Sequence, residues 1–404
     1  MVLTMNVMHS NSRSALIVGA GIAGLTAAAV LRQQGWRVIV AERGQELRTG
    51  GYKVDARGAG VEVLDRLGLL DQARALHCDV RAGSVVTADG RVVAAMGGDT
   101  FGGRGHEDVE IERGDLLRLL ASVAGEIRFG VGPAAIDDTG SGVEVRLTDG
   151  TTERVDVVLG ADGLRSTVRE FVTESGSGTT EVHSLGHAIA VVQLPTSMGL
   201  TTEEMTYVAP GTTALLYATA RQAQARAMLL FAHAGPLPRD RAAQVTFLRE
   251  RFAGQGWRVP EILAALDGAD DIYLDSVSQV SLPRWSRGAV GLVGDSAACA
   301  SPASGQGTTL GLVTAYVTAV ELASTPEDVP GALTRAEASL RSFVEANQAL
   351  GPANLKRMVL PSARAVRSTL TMLRVLNVLP GKEFLLGAVA RKLDRASQFT
   401  LPPA

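Results

Sequence analysis

Between Ser14 and Ala41 the apolar positions fall in two unbroken runs, separated by a glycine turn and an alanine-rich stretch. Ala15-Leu-Ile-Val18 has no polar position, which suits a strand buried on both faces. Gly19-Ala-Gly21-Ile-Ala23-Gly24 follows, and residues 25–34 read as a helix stopped by Gly35. Arg37-Val-Ile-Val-Ala41 is the next strand, so the segment is a βαβ unit that opens a doubly wound parallel sheet. Farther on, the pattern predicts a helix over 112–124 and strands over 143–147 and 154–159, flanking the Asp149-Gly150 turn.

From about His183 the period changes. Short runs at 186–194, 204–209, 213–219 and 226–232, broken by turn signals such as Pro210-Gly211, predict a mostly antiparallel sheet inserted into the α/β frame. Residues 289–293 return to a buried strand, and 306–324 read as a long apolar helix. The expected organisation is a flexible leader over 1–13 and a discontinuous nucleotide-binding domain over 14–182 and 275–340. A substrate-binding sheet domain over 183–274 and a C-terminal helical segment over 341–404 complete it.

Charge sets the last segment apart. Residues 351–404 hold nine basic and two acidic side chains, a balance of +7, whereas the whole chain carries −3. Val366, Leu370, Leu373 and Leu376 line one helical face, with Arg364, Arg367 and Arg374 on the other. That pattern reads as a docking helix with a solvated basic side; an anionic surface or ligand is its other use. Overall, 39 basic against 42 acidic residues argue against a dedicated nucleic-acid binder. No apolar run reaches the roughly 18 residues of a membrane span, and residues 1–12 lack a signal-peptide core, so a cytoplasmic protein is expected. Two cysteines, Cys78 and Cys299, make neither a disulfide scaffold nor a four-cysteine metal site. No metal-binding pattern such as HExxH occurs, so no metal is expected.

The glycines carry the first chemical signal. Gly19 allows a tight turn, Gly21 lets a pyrophosphate approach the backbone, and Gly24 packs helix on strand. The helix start offers free N–H groups and a positive dipole end to phosphate. Glu42 ends the next strand 18 residues beyond Gly24, where a carboxylate can hold a ribose diol. This motif alone does not choose between FAD and NAD. Two later turns repeat the design at strand ends: Leu159-Gly-Ala-Asp162-Gly163-Leu-Arg165-Ser-Thr-Val-Arg169 and Gly291-Leu-Val-Gly294-Asp295-Ser-Ala-Ala-Cys299-Ala-Ser-Pro302-Ala-Ser-Gly305-Gln306-Gly307. Asp295 suits a polyol hydroxyl, and the amides around Gly305–Gly307 suit a developing negative charge.

These three motifs in this order resemble the single-component FAD-dependent monooxygenases of the para-hydroxybenzoate hydroxylase type. The resemblance covers roughly residues 14–325. The compact length and basic helical C terminus look most like the tetracycline-inactivating and polyketide-tailoring hydroxylases. The resemblance implies a Rossmann-like FAD-binding domain with Gly19, Gly21, Ala23 and Gly24 at the turn, Glu42 on the adenosine ribose and Arg43 beside the adenine. It puts Asp162 and Gly163 near the diphosphate and Gly294 and Asp295 at the ribityl chain. Pro302, Gly305, Gln306 and Gly307 complete the late motif, Arg113 reaches the flavin, and Gly51 and Asp55 lie on a loop beside the isoalloxazine. Many members have His where this chain has Cys299, so a polar link made there by His is in doubt.

The resemblance further implies that NADH or NADPH reduces FAD and that one oxygen atom of O₂ passes to an aromatic or polyketide-like small molecule, most simply by hydroxylation. The inserted sheet would wall the substrate pocket through Met205, Tyr207, Leu215, Tyr217, Met228 and Phe231, although alternation there fits core packing equally well. No catalytic residue stands out; to choose His183, His187 or Tyr217 as a general base would be a guess. Competing readings are a flavin-dependent reductase of isoprenoid-type double bonds, which Asp162-Gly163 with Arg165 speaks against, and a non-catalytic flavin or substrate carrier.

Overall fold

The computed structural model describes residues 13–403 except positions 49, 51, 106, 174–181, 220, 222–223, 270–271 and 380–394. The expected strand is Ser14–Val18, buried along its whole length, and it pairs in parallel with Arg37–Glu42 on one side and Val157–Gly160 on the other. Val290–Leu292 and Ile127–Phe129 extend this sheet in parallel, and Ser286–Arg287 closes one edge antiparallel. Helix Ile22–Gln33 packs against helices Arg113–Ala124 and Gly307–Ser324, which explains why Leu25 and Ala27–Leu31 can be apolar almost all round.

The run at 154–159 is two strands rather than one. Thr152–Val155 turns back antiparallel on Val143–Leu147, and Val157–Gly160 joins the parallel sheet. Asp156 marks the switch: its carboxylate accepts from the backbone N and hydroxyl of Ser14 and pairs with Arg13. The break was hidden because Val155 and Val157 flank Asp156 and both bury their side chains in the same core.

The mostly antiparallel sheet is larger than the inserted runs, and one of its pairs, Glu203–Ala209 with Ala82–Val86, is parallel. Its seven strands include Val182–Gln193, Glu203–Ala209, Thr212–Tyr217 and Arg226–Ala232, together with Ile272–Val280, Ala82–Val86 and Val92–Gly97. The last two come from far earlier in the chain, outside the expected 183–274 span. One face is covered by helices Arg241–Phe252 and Val259–Ala265, whose Val245, Leu248, Phe252 and Ile262 meet Ala188, Ala190, Leu229 and Phe231. The other face, carrying Ile189, Val191 and Leu230, meets Ala303, Leu355 and Val359.

Three helices, Val329–Gln348, Leu350–Met358 and Ala363–Val378, follow the nucleotide-binding frame. In the last, Val366 is buried, Leu370, Leu373 and Leu376 are half-buried, and Arg364, Arg367 and Arg374 are exposed, as the periodicity predicts. The chain end then returns to the frame: Asn347 Nδ2 donates to Ala396 O, and Leu401 is buried in the main core. Among the described residues, no helix is long and apolar enough to cross a membrane.

Candidate active site

Three cavities hold nearly all the expected site residues that line one, and the second and third share part of their walls. The first, of about 380 Å³, opens at the C-terminal ends of Ser14–Val18 and Arg37–Glu42 and is lined by Gly19, Gly21, Glu42, Arg43, Arg113, Asp162 and Gly163, among others. Helix Ile22–Gln33 starts beside it with no side chain capping its first-turn amides and no acidic residue there. Gly19 has φ of +105°, and a Cβ on it would stand 2.6 Å from Ala161 O, so the two strand ends converge only with glycine. A Cβ on Gly21 would meet no protein atom within 4 Å; the space beside it is the cavity. Ala23 and Gly24 lie behind the lining. A Cβ on Gly24 would strike Gly19 O at 1.9 Å, and one on Gly294 would come within 2.7 Å of the Ala23 methyl.

Glu42 is oriented by the backbone. One carboxylate oxygen accepts from Ala20 N at 2.9 Å and the other from Gly44 N at 2.7 Å, which holds both oxygens at the cavity rim. Arg113, the first residue of its helix, also lines this cavity and donates to Arg48 O at 2.9 Å.

Asp162 lines the cavity but spends its carboxylate on its own loop. It accepts from Ser166 Oγ, Thr167 N at 2.7 Å, Thr167 Oγ1 at 3.1 Å and Val168 N at 3.3 Å, capping helix Thr167–Thr173. Arg169, whose role the sequence did not disclose, is the tie between the two later motifs. Its buried guanidinium donates to the carbonyls of Gly163, Leu164 and Ser296.

The second cavity, of about 180 Å³, is lined by Tyr52, Lys53, Asp55, Tyr273, Asp295, Cys299, Pro302, Gly305 and Gly307, among others. Asp295 opens onto it, and desolvation by the surrounding protein raises its carboxyl above the ordinary value, against the opposing Cys299 thiol and the charges of Arg113 and Arg169. Cys299 Sγ also reaches Ser278 O at 3.5 Å, and burial pushes its thiol far up, so it is a weak donor and no nucleophile. Burial likewise pushes the Tyr52 hydroxyl to about 12, against the lowering charge of Arg113. Helix Gly307–Ser324 begins at this cavity, while Gln306 is wholly buried outside the lining. Gly51 lies outside the described residues.

The third cavity, of about 480 Å³, shares Asp55, Pro302 and Gly305 with the second. Its walls are largely apolar: Val85, Phe101, Val208, Leu215, Met228, Leu230, Met358 and Leu360, with Leu370 and Leu373 of the C-terminal helix. That helix is therefore a cavity wall as well as a packed helix. Of the six expected pocket residues, Leu215 and Met228 line this cavity. Tyr207 and Phe231 belong to the opposite core, and Met205 packs against it. Strand parity explains the difference, because Thr206 and Val208 face the cavity and their neighbours Met205 and Tyr207 cannot. Phe231 instead meets Phe252 edge-on at 5.6 Å. Tyr217 is buried, with its hydroxyl accepting from Lys53 N at 2.9 Å. Neither His183, which is exposed, nor His187, whose Nδ1 pairs with Leu185 O at 2.7 Å, lines a cavity.

Comparison with known proteins agrees with this arrangement. The family described as FAD binding domain matches residues 13–345. A flavin-dependent monooxygenase of Legionella longbeachae is 32% identical over 340 residues, 83% of this chain and 87% of that protein. An FAD-dependent monooxygenase of Sarocladium schorii is 34% identical over 324 residues, covering 76% and 75%. Among solved structures, the tetracycline destructase Tet(51) superposes with a TM-score of 0.82 at 29% identity, covering 97% of this chain and all of that one. With glycine turn, both later motifs and antiparallel sheet in one frame, the chain belongs to the FAD-dependent monooxygenases of the para-hydroxybenzoate hydroxylase type.

Proposed function

We propose that this enzyme uses NADH or NADPH and O₂, through bound FAD, to hydroxylate an aromatic or polyketide-like small molecule. The observation that carries this reading is the arrangement of the cavities: neighbouring residues Gly163 and Leu164 line the first and the second, and the second shares Asp55, Pro302 and Gly305 with a larger apolar one. The residues fit the cofactor. The uncapped end of Ile22–Gln33 would hold the diphosphate, Glu42 the adenosine ribose with Arg43 beside the adenine, and Asp295 the ribityl hydroxyls. Asp162 would act at one remove, by fixing the loop that presents Gly163. Asp55 and Arg113 would border the isoalloxazine.

When bound, FAD supplies the redox and oxygen-transfer chemistry. The protein contributes placement and dryness. Leu215, Met228 and Leu230 from the sheet and Leu370 and Leu373 from the C-terminal helix would enclose the substrate rings and exclude water. The amides opening helix Gly307–Ser324 point their positive end toward the second cavity, where negative charge would develop. The names of the relatives support the substrate class: one similar structure is a tetracycline destructase.

The test is NADH and NADPH consumption by the purified protein, with and without tetracyclines, anthracyclines and simple phenols, while the flavin spectrum is recorded. Stimulation by one ring class with an oxygenated product is expected. Bound FAD with no stimulation by any ring class would move the assignment to a reductase or carrier.

A further inference from the structure

Residues 53–56 and 109–112 form a two-stranded ribbon that, among the described residues, joins no other sheet, with Lys53 opposite Glu112 and Asp55 opposite Glu110. Its other backbone pairing is a single bridge, His77 with Ile111, beside Cys78 N donating to Glu110 O at 2.9 Å, so side chains share in deciding where this short ribbon sits. Its position matters. Tyr52, Lys53 and Asp55 line the second cavity, Asp55 also lines the third, and Glu112 leads directly into Arg113 at the first.

The ribbon is tied to the antiparallel sheet by three buried polar contacts. Lys53 Nζ lies 2.5 Å from Glu204 Oε2 on strand Glu203–Ala209. The backbone N of the same Lys53 donates to the hydroxyl of Tyr217 on the next strand, at 2.9 Å. Glu112 Oε2 accepts from Arg226 Nε on the third, at 3.2 Å, and Arg226 Nη1 donates onward to Gln193 at 2.7 Å. Glu204, Tyr217 and Arg226 are adjacent in register, Glu204 opposite Tyr217 and Tyr217 opposite Arg226, so one row across the sheet grips one end of the ribbon. Within the ribbon, Lys53 Nζ also meets Glu110 Oε1 at 2.6 Å. Burial opposes the Lys53 charge, but Glu204 and Glu110 more than offset it and hold the ammonium protonated. In a buried setting such pairs are intolerant of displacement, because a separated charge is left without solvent.

We propose that this seam, formed by Lys53, Glu112, Glu204, Tyr217 and Arg226, is the positioning device that sets the flavin-side loop and Arg113 against the sheet carrying the large cavity. Glu112, Tyr217 and Arg226 are positioning residues that act through Tyr52, Asp55 and Arg113, whereas Lys53 and Glu204 also line the second and third cavities themselves. The proposal rests on the reading of the first two cavities as the FAD site.

The test uses the full chain stripped of flavin and titrated with FAD, following flavin fluorescence and the shape of its visible bands. Hydrogen exchange of the 52–56 segment is measured in parallel. Tyr217→Phe removes one oxygen and leaves Lys53 N without its acceptor, and Glu204→Gln removes the charge facing the ammonium. Each is expected to weaken FAD binding about ten-fold, the scale of one orphaned buried group, to alter the flavin bands and to speed exchange in 52–56. Asp240→Ala, which removes the cap of distant helix Arg241–Phe252, is the control for destabilisation alone. It should lower thermal stability without moving any of the three readouts. Lys53→Arg, which keeps the charge between Glu110 and Glu204, should stay closer to the parent than Lys53→Met. FAD affinity, bands and exchange in Tyr217→Phe and Glu204→Gln matching those of Asp240→Ala would overturn the seam. Failure of the parent itself to bind FAD would instead overturn the cofactor site on which it rests.

Discussion

Replacing Arg169 by Met tests whether the two later motifs are held together by one side chain. Arg169 is 3% exposed, and its guanidinium donates to Leu164 O at 2.6 and 2.8 Å, to Gly163 O at 3.2 Å and to Ser296 O at 3.2 Å. Methionine matches most of the volume and leaves three carbonyls without their charged donor. Charged hydrogen bonds contribute about 1.5–3 kcal/mol each and do not add fully, so the expected loss is about 3–5 kcal/mol. An unfolding entropy of about 2.1 cal/mol/K per residue gives roughly 0.85 kcal/mol/K for a chain of this size melting as one unit. The thermal midpoint should therefore fall by about 4–6 °C. Because Gly163 lines the first cavity and Asp295 beside Ser296 lines the second, FAD affinity should fall together with stability. Circular dichroism melts and FAD titration read the two effects, with Arg128→Met, a partly exposed pair with Glu153, as the comparison. A midpoint within about 1 °C of the parent and unchanged FAD affinity would refute the tie, since a surface substitution alone does that much.

Gly21→Ala and Gly19→Ala should separate binding from folding. The first adds a methyl only to the cavity and should weaken FAD about ten-fold at an unchanged melting point, whereas the second meets Ala161 O and costs about 1–3 kcal/mol of stability as well. Asp295 should make FAD affinity depend on pH. Its raised carboxyl protonates sooner than a free aspartate as pH falls, so affinity is full above the raised value and is lost below it; Asp295→Asn should flatten that profile in FAD titrations. Leu215→Trp should abolish stimulation of NAD(P)H consumption by ring compounds and leave the flavin spectrum in place, since the side chain fills the third cavity alone. Arg367→Glu with Arg374→Glu should spare flavin content, because both side chains lie on the exposed face of their helix; loss of flavin would show that this face does more.

The sequence by itself determined the parallel frame and the three turns. Ala15–Val18 is apolar without alternation because it is buried on both faces, and its glycines are dictated by local geometry: Gly19 by its backbone and Gly24 by contact with the turn. Glu42 and Asp295 were legible for the same reason, since each closes a strand or opens a helix at the end of an apolar run.

Only tertiary structure decided the rest. Which parity of these strands faces the large cavity depends on the helices that cover the other side, and both parities carry apolar residues, so Met205, Tyr207 and Phe231 read as well as Val208, Leu215 and Leu230. Asp162 reads as a ligand carboxylate until the fold shows four donors of its own loop around it. Lys53 and Glu204 stand 151 residues apart, and Arg226 and Glu112 stand 114 apart. Periodicity reports which face of an element is buried; it carries no information on which distant charge will be buried beside it, because that follows from how the sheets dock.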